Sequence, residues 1–204
     1  MTIKIKTIRP KFGADGNYEL GSIGFTYSPK NIISKGIAYF THWHQMSDIK
    51  TSHTFIVTGE NECVEAHIQT GVAKRDLRDY FNDKYCLTFF RKQRGLTNDI
   101  AQKIVRVANS QIGFKYDLSL ILDLLVVHSC VGWSINRRTK GKLEELLTQA
   151  HESDHKWICS ELAAYCLDQQ TEYKDQGILA KPNAAIDPQE LFEDDTIFEP
   201  WKNQ

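Results

Sequence analysis

The apolar positions of this chain change period along its length, and those changes mark out its elements. His53-Thr54-Phe55-Ile56-Val57 and Cys63-Val64-Glu65-Ala66-His67-Ile68 read as two strands flanking Thr58-Gly59-Glu60-Asn61-Glu62, a glycine-containing loop suited to a hairpin. Side chains alternate faces along a strand. If Val57 pairs with Cys63, then Phe55 lies opposite Glu65 and His53 opposite His67, so His53, Glu65 and His67 share one face. An even-length loop would break that arrangement. Upstream, Glu19-Leu20-Gly21-Ser22-Ile23-Gly24-Phe25 reads as a turn leading into a short strand, and Ser28-Pro29-Lys30-Asn31 as a helix start with Ile32, Ile33, Ile37 and Ala38 facing inward. A short helix is predicted from Lys74 to Phe81, and Tyr85 to Arg91 reads as a third strand.

Helical spacing dominates the second half. Thr97 caps a helix whose stripe is Ile100, Ala101, Ile104, Val105, Ala108 and Ile112, ended by Gly113. A buried helix is expected from Leu118, a basic polar connection at Asn136-Arg137-Arg138-Thr139-Lys140, and a further helix through Leu143, Leu146, Leu147 and Ala150. A last long helix starts at Trp157 and buries Ile158, Leu162, Tyr165 and Cys166; Asp187 then caps a short helix through Phe192. The pattern predicts an α+β fold, a small mainly antiparallel sheet packed against helices, as one domain over residues 1–204 with its core at about 19–192.

Composition narrows the class. A chain of 204 residues, 41% hydrophobic and 25% charged, has the material for one substantial core. A formal net charge of -1 gives no general attraction to nucleic acid, and none is expected as a partner. The amino terminus alternates apolar and basic residues with no run resembling a secretory signal, which predicts a cytoplasmic protein. The most apolar stretch, Leu118 to Val127, is interrupted by Ser119 and Asp123 and is too short for a bilayer, so no integral membrane segment is expected. Five cysteines without a regular framework fit reduced thiols. The run Arg91-Lys92-Gln93-Arg94 reads as a solvated turn rather than a phosphate site. Oligomeric state is left open.

Candidate chemistry centres on Lys156-Trp157-Ile158-Cys159-Ser160-Glu161-Leu162. Cys159 falls in the first turn of its helix, where unpaired N–H groups and the positive end of the dipole favour a thiolate. Taken alone, a cysteine in an apolar helix is more often a small buried hydrophobe, and Cys63, Cys86, Cys130 and Cys166 are read that way. What lifts Cys159 above them is the hairpin. His53 is suited to take its proton, Glu65 to hold the imidazole, and His67 shares their face as an alternative tautomer holder or a substrate contact. The Cys159 N–H would be one oxyanion donor. A rival lies just upstream: His151-Glu152-Ser153-Asp154-His155 matches a zinc-binding H-E-x-x-H, which needs one continuous helix, whereas Ser153 and Asp154 are better caps and a new pattern starts at Trp157. Thr41-His42-Trp43-His44 reads as a polar rim around an exposed tryptophan before it reads as a metal site.

The ordered set resembles the circularly permuted branch of the NlpC-type papain-like superfamily, to which the YiiX-like proteins belong. It runs Ser52-His53-Thr54-Phe55-Ile56-Val57, Val64-Glu65-Ala66, Gly113-Phe114-Lys115-Tyr116-Asp117, then Ile158-Cys159-Ser160-Glu161-Leu162. Histidine comes first, the acid on the next strand, and the cysteine last on a helix. Gly21-Ser22 stands where members commonly have Gly-Asp, and residues between Tyr116 and His151 do not align. The resemblance implies a permuted papain-like fold and a cysteine peptidase or amidase working through Cys159, His53 and Glu65. It implies no cofactor, and places Tyr116 and Asp117 at the cleft. Its substrate would be a peptide or other amide, with cell-wall peptide and lipid-linked compounds as candidates. Alternatives are a lipid-directed acyl hydrolase or acyltransferase on the same three residues, a binding module without turnover, and a zinc metallopeptidase using His151, Glu152 and His155.

Overall fold

Five strands pair antiparallel in the order β4-β3-β2-β1-β5 in the computed structural model, which describes residues 10–42, 45–117 and 156–201. They are β1 (Ile23–Tyr27), β2 (His53–Gly59), β3 (Glu62–His67), β4 (Gly71–Asp76) and β5 (Leu87–Arg91). A separate parallel pair joins β6 (Lys115–Tyr116) to β7 (Lys156–Trp157). The helices are α1 (Ile32–Phe40), α2 (Leu77–Asn82), α3 (Asn98–Ser110), α4 (Cys159–Asp168) and α5 (Pro188–Glu193). This is the α+β class that the periodicities predict.

Apolar residues cover both faces of the sheet. On one, Ile23, Phe25, Ile56, Val64 and Val72 form a single core with Ile104 and Ala108 of α3, Leu162 and Leu167 of α4, and Phe192 of α5. On the other, Phe55, Val57, Cys63 and Phe90 pack with Tyr18 and Leu77. Burial on both faces explains why Phe55-Ile56-Val57 is apolar without a break.

The hairpin takes the expected register by an unexpected route. Ile56 pairs with Val64 and Val57 with Cys63, but Gly59 then pairs with Glu62, leaving Thr58 as a bulge. The turn proper is therefore the even pair Glu60-Asn61. The extra residue restores the parity that such a turn would have reversed. The Tyr18 hydroxyl donates to the Glu60 carbonyl at 2.6 Å and ties the turn down.

Several boundaries differ from those the sequence predicts. Lys74 to Asp76 is not helical: β4 runs through it along the sheet edge, and Asp76 then caps α2 by accepting the Arg78 N–H at 2.9 Å. Residues 156–157 are strand, so the late helix begins at Cys159 rather than Trp157, and Tyr165 is only half-buried because most of the helix circumference is already packed. In α3, Thr97 is the cap and accepts the Ile100 N–H, but the helix closes at Ser110, and Ile112, 40% exposed, lies beyond the stripe. Cys86 is half-buried rather than a core residue. The helices expected from Leu118 and through Leu143, the zinc motif and Cys130 lie outside the described residues.

Arg91 corrects the view of its basic run as a solvated turn. It is 3% exposed. Its guanidinium donates to the Phe192 carbonyl, to Asp195 Oδ1 at 2.7 Å and to the Glu199 carbonyl at 2.8 Å, between the rings of Phe192 and Phe198. Gln93 is also buried and donates to the Gly21 carbonyl at 2.8 Å. The run is a latch for the C-terminal segment that underlies α4. Arg91→Met keeps the stem but leaves two backbone carbonyls without this donor, which predicts a loss of about 1–3 kcal/mol. Urea unfolding checks it; an unchanged midpoint would mean that ring packing alone holds the segment.

Candidate active site

Cys159 is placed by the break between β7 and α4. Ile158, in extended conformation, is the N-cap, and Cys159 is the first helical residue. The Ile158 carbonyl accepts the first intrahelical bond, from Leu162 N–H at 3.0 Å, and the Glu161 carboxylate reaches back to the Ile158 N–H at 3.3 Å. The N–H of Cys159 is among those a helix start leaves without an intrahelical acceptor. The residue is 4% exposed on a helix packed against β2, β3 and α3.

His53 opens β2, the central strand, where the sheet meets the start of α4. Its Nε2 lies 2.8 Å from Glu65 Oε2, which leaves Nδ1 as the ring nitrogen for Cys159. Burial disfavours charge on both the thiol and the ring. Against that, His53 and the sulfur attract one another and share a hydrogen bond, and the Thr54 and Ser160 N–H groups also donate to the sulfur. The outcome is a Cys159 pKa below the ordinary thiol value and a His53 pKa raised to about 10. Both directions favour thiolate beside imidazolium. Cys63 and Cys166, which burial pushes well above the ordinary value, are the contrast.

Glu65 sits on β3 with only 2% of its surface exposed. Burial opposes its charge, but the His53 ring, the Tyr80 hydroxyl and the Arg75 guanidinium all turn toward it and hold its carboxyl down to about 2. Arg75 Nη1 donates to Oε1 at 3.0 Å, while Tyr80 donates to Oε2, the oxygen that faces His53. Neither Arg75 nor Tyr80 is apparent from the sequence pattern, because Lys74 to Phe81 reads there as one helix. The signal that finds them is Gly71 after a polar turn, followed by Asp76 in a capping position.

A cleft of about 670 Å³ runs past these groups. Among its walls are His53, Glu65, His67, Tyr116 and Cys159, which the fold thus draws together from four separate stretches of chain. His67 lies edge-on to His53, ring centres 6.4 Å apart, and its Nδ1 accepts the Gln69 N–H at 3.3 Å. Burial, with the positive charges of His53 and Arg75, lowers its pKa despite the pull of Glu65. Burial and the Cys159 charge keep Tyr116 protonated. Asp117 is buried at the end of β6, donates its N–H to the Trp157 carbonyl at 3.0 Å, and is not on the cleft wall. The cleft lining also includes Ser34 and Ser52, whose hydroxyls meet at 2.5 Å.

Among the described residues no His, Cys, Asp or Glu cluster is arranged to hold a metal ion, and no helix is long and apolar enough to cross a membrane. His151, Glu152, His155, Trp43 and His44 lie outside the described residues. Compared with known proteins, the chain matches no family model and no curated protein.

The charge arrangement sets an expected pH dependence. With the Cys159 pKa lowered and that of His53 raised, the thiolate forms at lower pH than in an ordinary cysteine, so Cys159 should alkylate faster at neutral pH than Cys63 or Cys166 and slow toward acid. Chemistry that needs a proton from His53 should fall again as pH rises through about 10. Mass spectrometry of the cysteine peptides after timed iodoacetamide exposure checks the first limb; a Cys159 rate no faster than those of Cys63 and Cys166 would contradict it.

Proposed function

We propose that this chain is a cysteine-dependent hydrolase of amide or peptide bonds, with Cys159 as nucleophile, His53 as acid and base, and Glu65 as the residue that orients His53. The observation that carries it is the convergence of a thiol at a helix start, an imidazole sharing its hydrogen bond, and a buried carboxylate 2.8 Å from the imidazole's far nitrogen. Structural cysteines do not need the second and third groups. The order of the three along the chain and their placement on strand, strand and helix also support a permuted papain-like arrangement.

In this mechanism the Cys159 sulfur attacks the carbonyl carbon, forming a C–S bond as the carbonyl π pair moves onto oxygen. The Cys159 N–H donates to that oxyanion. When the intermediate collapses, the C–N bond breaks and the proton on His53 Nδ1 passes to the departing nitrogen, leaving a thioester. His53, now neutral, takes a proton from water as the hydroxyl oxygen adds to the thioester carbon. Expulsion of the thiolate releases a carboxylic acid and restores the ion pair. Tyr116 and His67 flank the path and are substrate contacts in this scheme. A bound cofactor has no role in these steps. Cell-wall peptide and lipid-linked amides are within the class.

A peptidyl acyloxymethyl ketone tests the proposal, because its displacement by a thiolate follows the same approach as the first step. Selective labelling of Cys159, with Cys63, Cys86 and Cys166 unmodified, is the expected result. Comparable labelling of several cysteines would sink it.

A further inference from the structure

Glu65 has more donors than one orienting contact requires, and the surplus comes from residues with no other place in the mechanism. We infer that Arg75 and Tyr80 are positioning residues that clamp Glu65 so that its Oε2 faces His53; this rests on the reading of His53 and Cys159 given above. The bonds divide the two oxygens. Arg75 Nη1 takes Oε1 at 3.0 Å, while Tyr80 and His53 share Oε2. Rotation of the carboxylate would break at least one of them.

The two donors are themselves fixed. The Tyr80 ring stacks on Phe55 with centres 5.1 Å apart and planes within 10°, and the Arg75 guanidinium lies over the Tyr80 ring, 5.0 Å from its centre. Asp79, four residues on in α2, lies 3.5 Å from Arg75 Nε. β4 sets the height of Arg75, because Arg75 is opposite Cys63, the residue two before Glu65 on the same face of β3.

Other groups around Glu65 do not replace this pair. From its own strand come Cys63, which burial keeps as a thiol, and His67, whose charge burial suppresses. Tyr116 approaches from β6 and is also kept protonated by burial. Cys159 lies beyond His53 and bears the opposite sign to what Glu65 needs. Arg75 is thus the permanent positive charge on the carboxylate, and Tyr80 the neutral donor that selects its oxygen.

The consequence appears in acid. Each donor holds Glu65 ionised as pH falls, so removing either lets the carboxyl protonate at higher pH. A protonated Glu65 no longer supports imidazolium at His53, and the Cys159 thiolate then loses its partner. At a fixed pH on the acid limb, Cys159 alkylation by iodoacetamide in the full chain should slow about ten-fold in Arg75→Met, from the loss of an opposite charge, and about three-fold in Tyr80→Phe. Arg75→Lys, which keeps the charge, should recover most of the rate. Tyr80→Phe keeps the ring on Phe55, so a folded variant is available if Arg75→Met does not fold. In a Glu65→Gln background neither change should slow alkylation further. The clamp is overturned if Arg75→Met and Tyr80→Phe leave the acid limb in place while His53→Ala and Glu65→Gln move it, or if their effects persist undiminished in Glu65→Gln. Silence of His53→Ala itself would instead overturn the catalytic reading, and the clamp with it.

Discussion

In His53→Ala, hydrolysis is expected to fall by about 10²–10⁴-fold, the usual contribution of a positioned acid–base group. Cys159 alkylation at pH 7 should fall several-fold, toward the level of an unassisted thiol of pKa near 8.5, which is only a few per cent thiolate there. Burial enlarges the second effect. Cys159 is 4% exposed, and without imidazolium the cost of placing charge in that site has little left to offset it beyond the Thr54 and Ser160 N–H groups. The two measurements separate the roles of His53. Alkylation needs only the thiolate, so raising the pH should restore it in His53→Ala. Hydrolysis also needs a proton for the leaving nitrogen, and high pH should not restore it. Cys159→Ala should lose both at every pH. If Cys159 in His53→Ala reacts as fast as in the unaltered chain from pH 5 to 9, the sulfur and the ring are not a working pair, and the chain is better understood as a binding module on this scaffold.

What the sequence discloses about this site, and what it conceals, follows from the range of the interactions. His53, Glu65 and His67 are legible on one face because alternation is a property of each strand, and it survives the unforeseen bulge at Thr58, which adds the single residue an even turn needs. Arg75 and Tyr80 are not legible. β4 is an edge strand with polar side chains, and a run such as Lys74-Arg75-Asp76-Leu77-Arg78-Asp79 satisfies a helical pattern as well as an extended one. The burial of Arg91 is concealed for a different reason. Its acceptors at Phe192, Asp195 and Glu199 lie about a hundred residues away, so nothing local distinguishes it from a solvated arginine. Helix α4 blurs its own stripe. Packed against β2, β3 and α3, it buries Ala163 and Ala164 as completely as Leu162, and its start is displaced because Trp157 belongs to a strand rather than to the helix.

Gly24→Ala should cost the central sheet a large part of its stability, and it should reach the candidate site as well. A Cβ at Gly24 would stand 2.0 Å from Cε2 and 2.1 Å from Cζ of Phe55, the residue paired with it across β1 and β2. The ring has nowhere to go. It is fully buried, stacks on Tyr80 on one side, and meets Phe90 edge-on with centres 5.9 Å apart. Overpacking of this kind costs about 1–3 kcal/mol, and with the ring held on two sides the expected value is at the upper end, read as a lowered urea midpoint with an unchanged slope. Displacing Phe55 must also displace Tyr80, and with it the hydroxyl on Glu65 Oε2. Gly24→Ala should therefore slow Cys159 alkylation on the acid side in the same direction as Tyr80→Phe, although Gly24 itself carries no group that reaches the cleft. A compensating variant makes the cause explicit. Phe55→Leu alone is destabilising because it removes the ring from its contacts, yet in the Gly24→Ala background it should recover stability, since the shorter side chain vacates the space the methyl needs. Simple additivity of the two changes would show that the obstacle at Gly24 is not the Phe55 ring. It would also remove the route by which a backbone position on β1 governs the orientation of a carboxylate on β3.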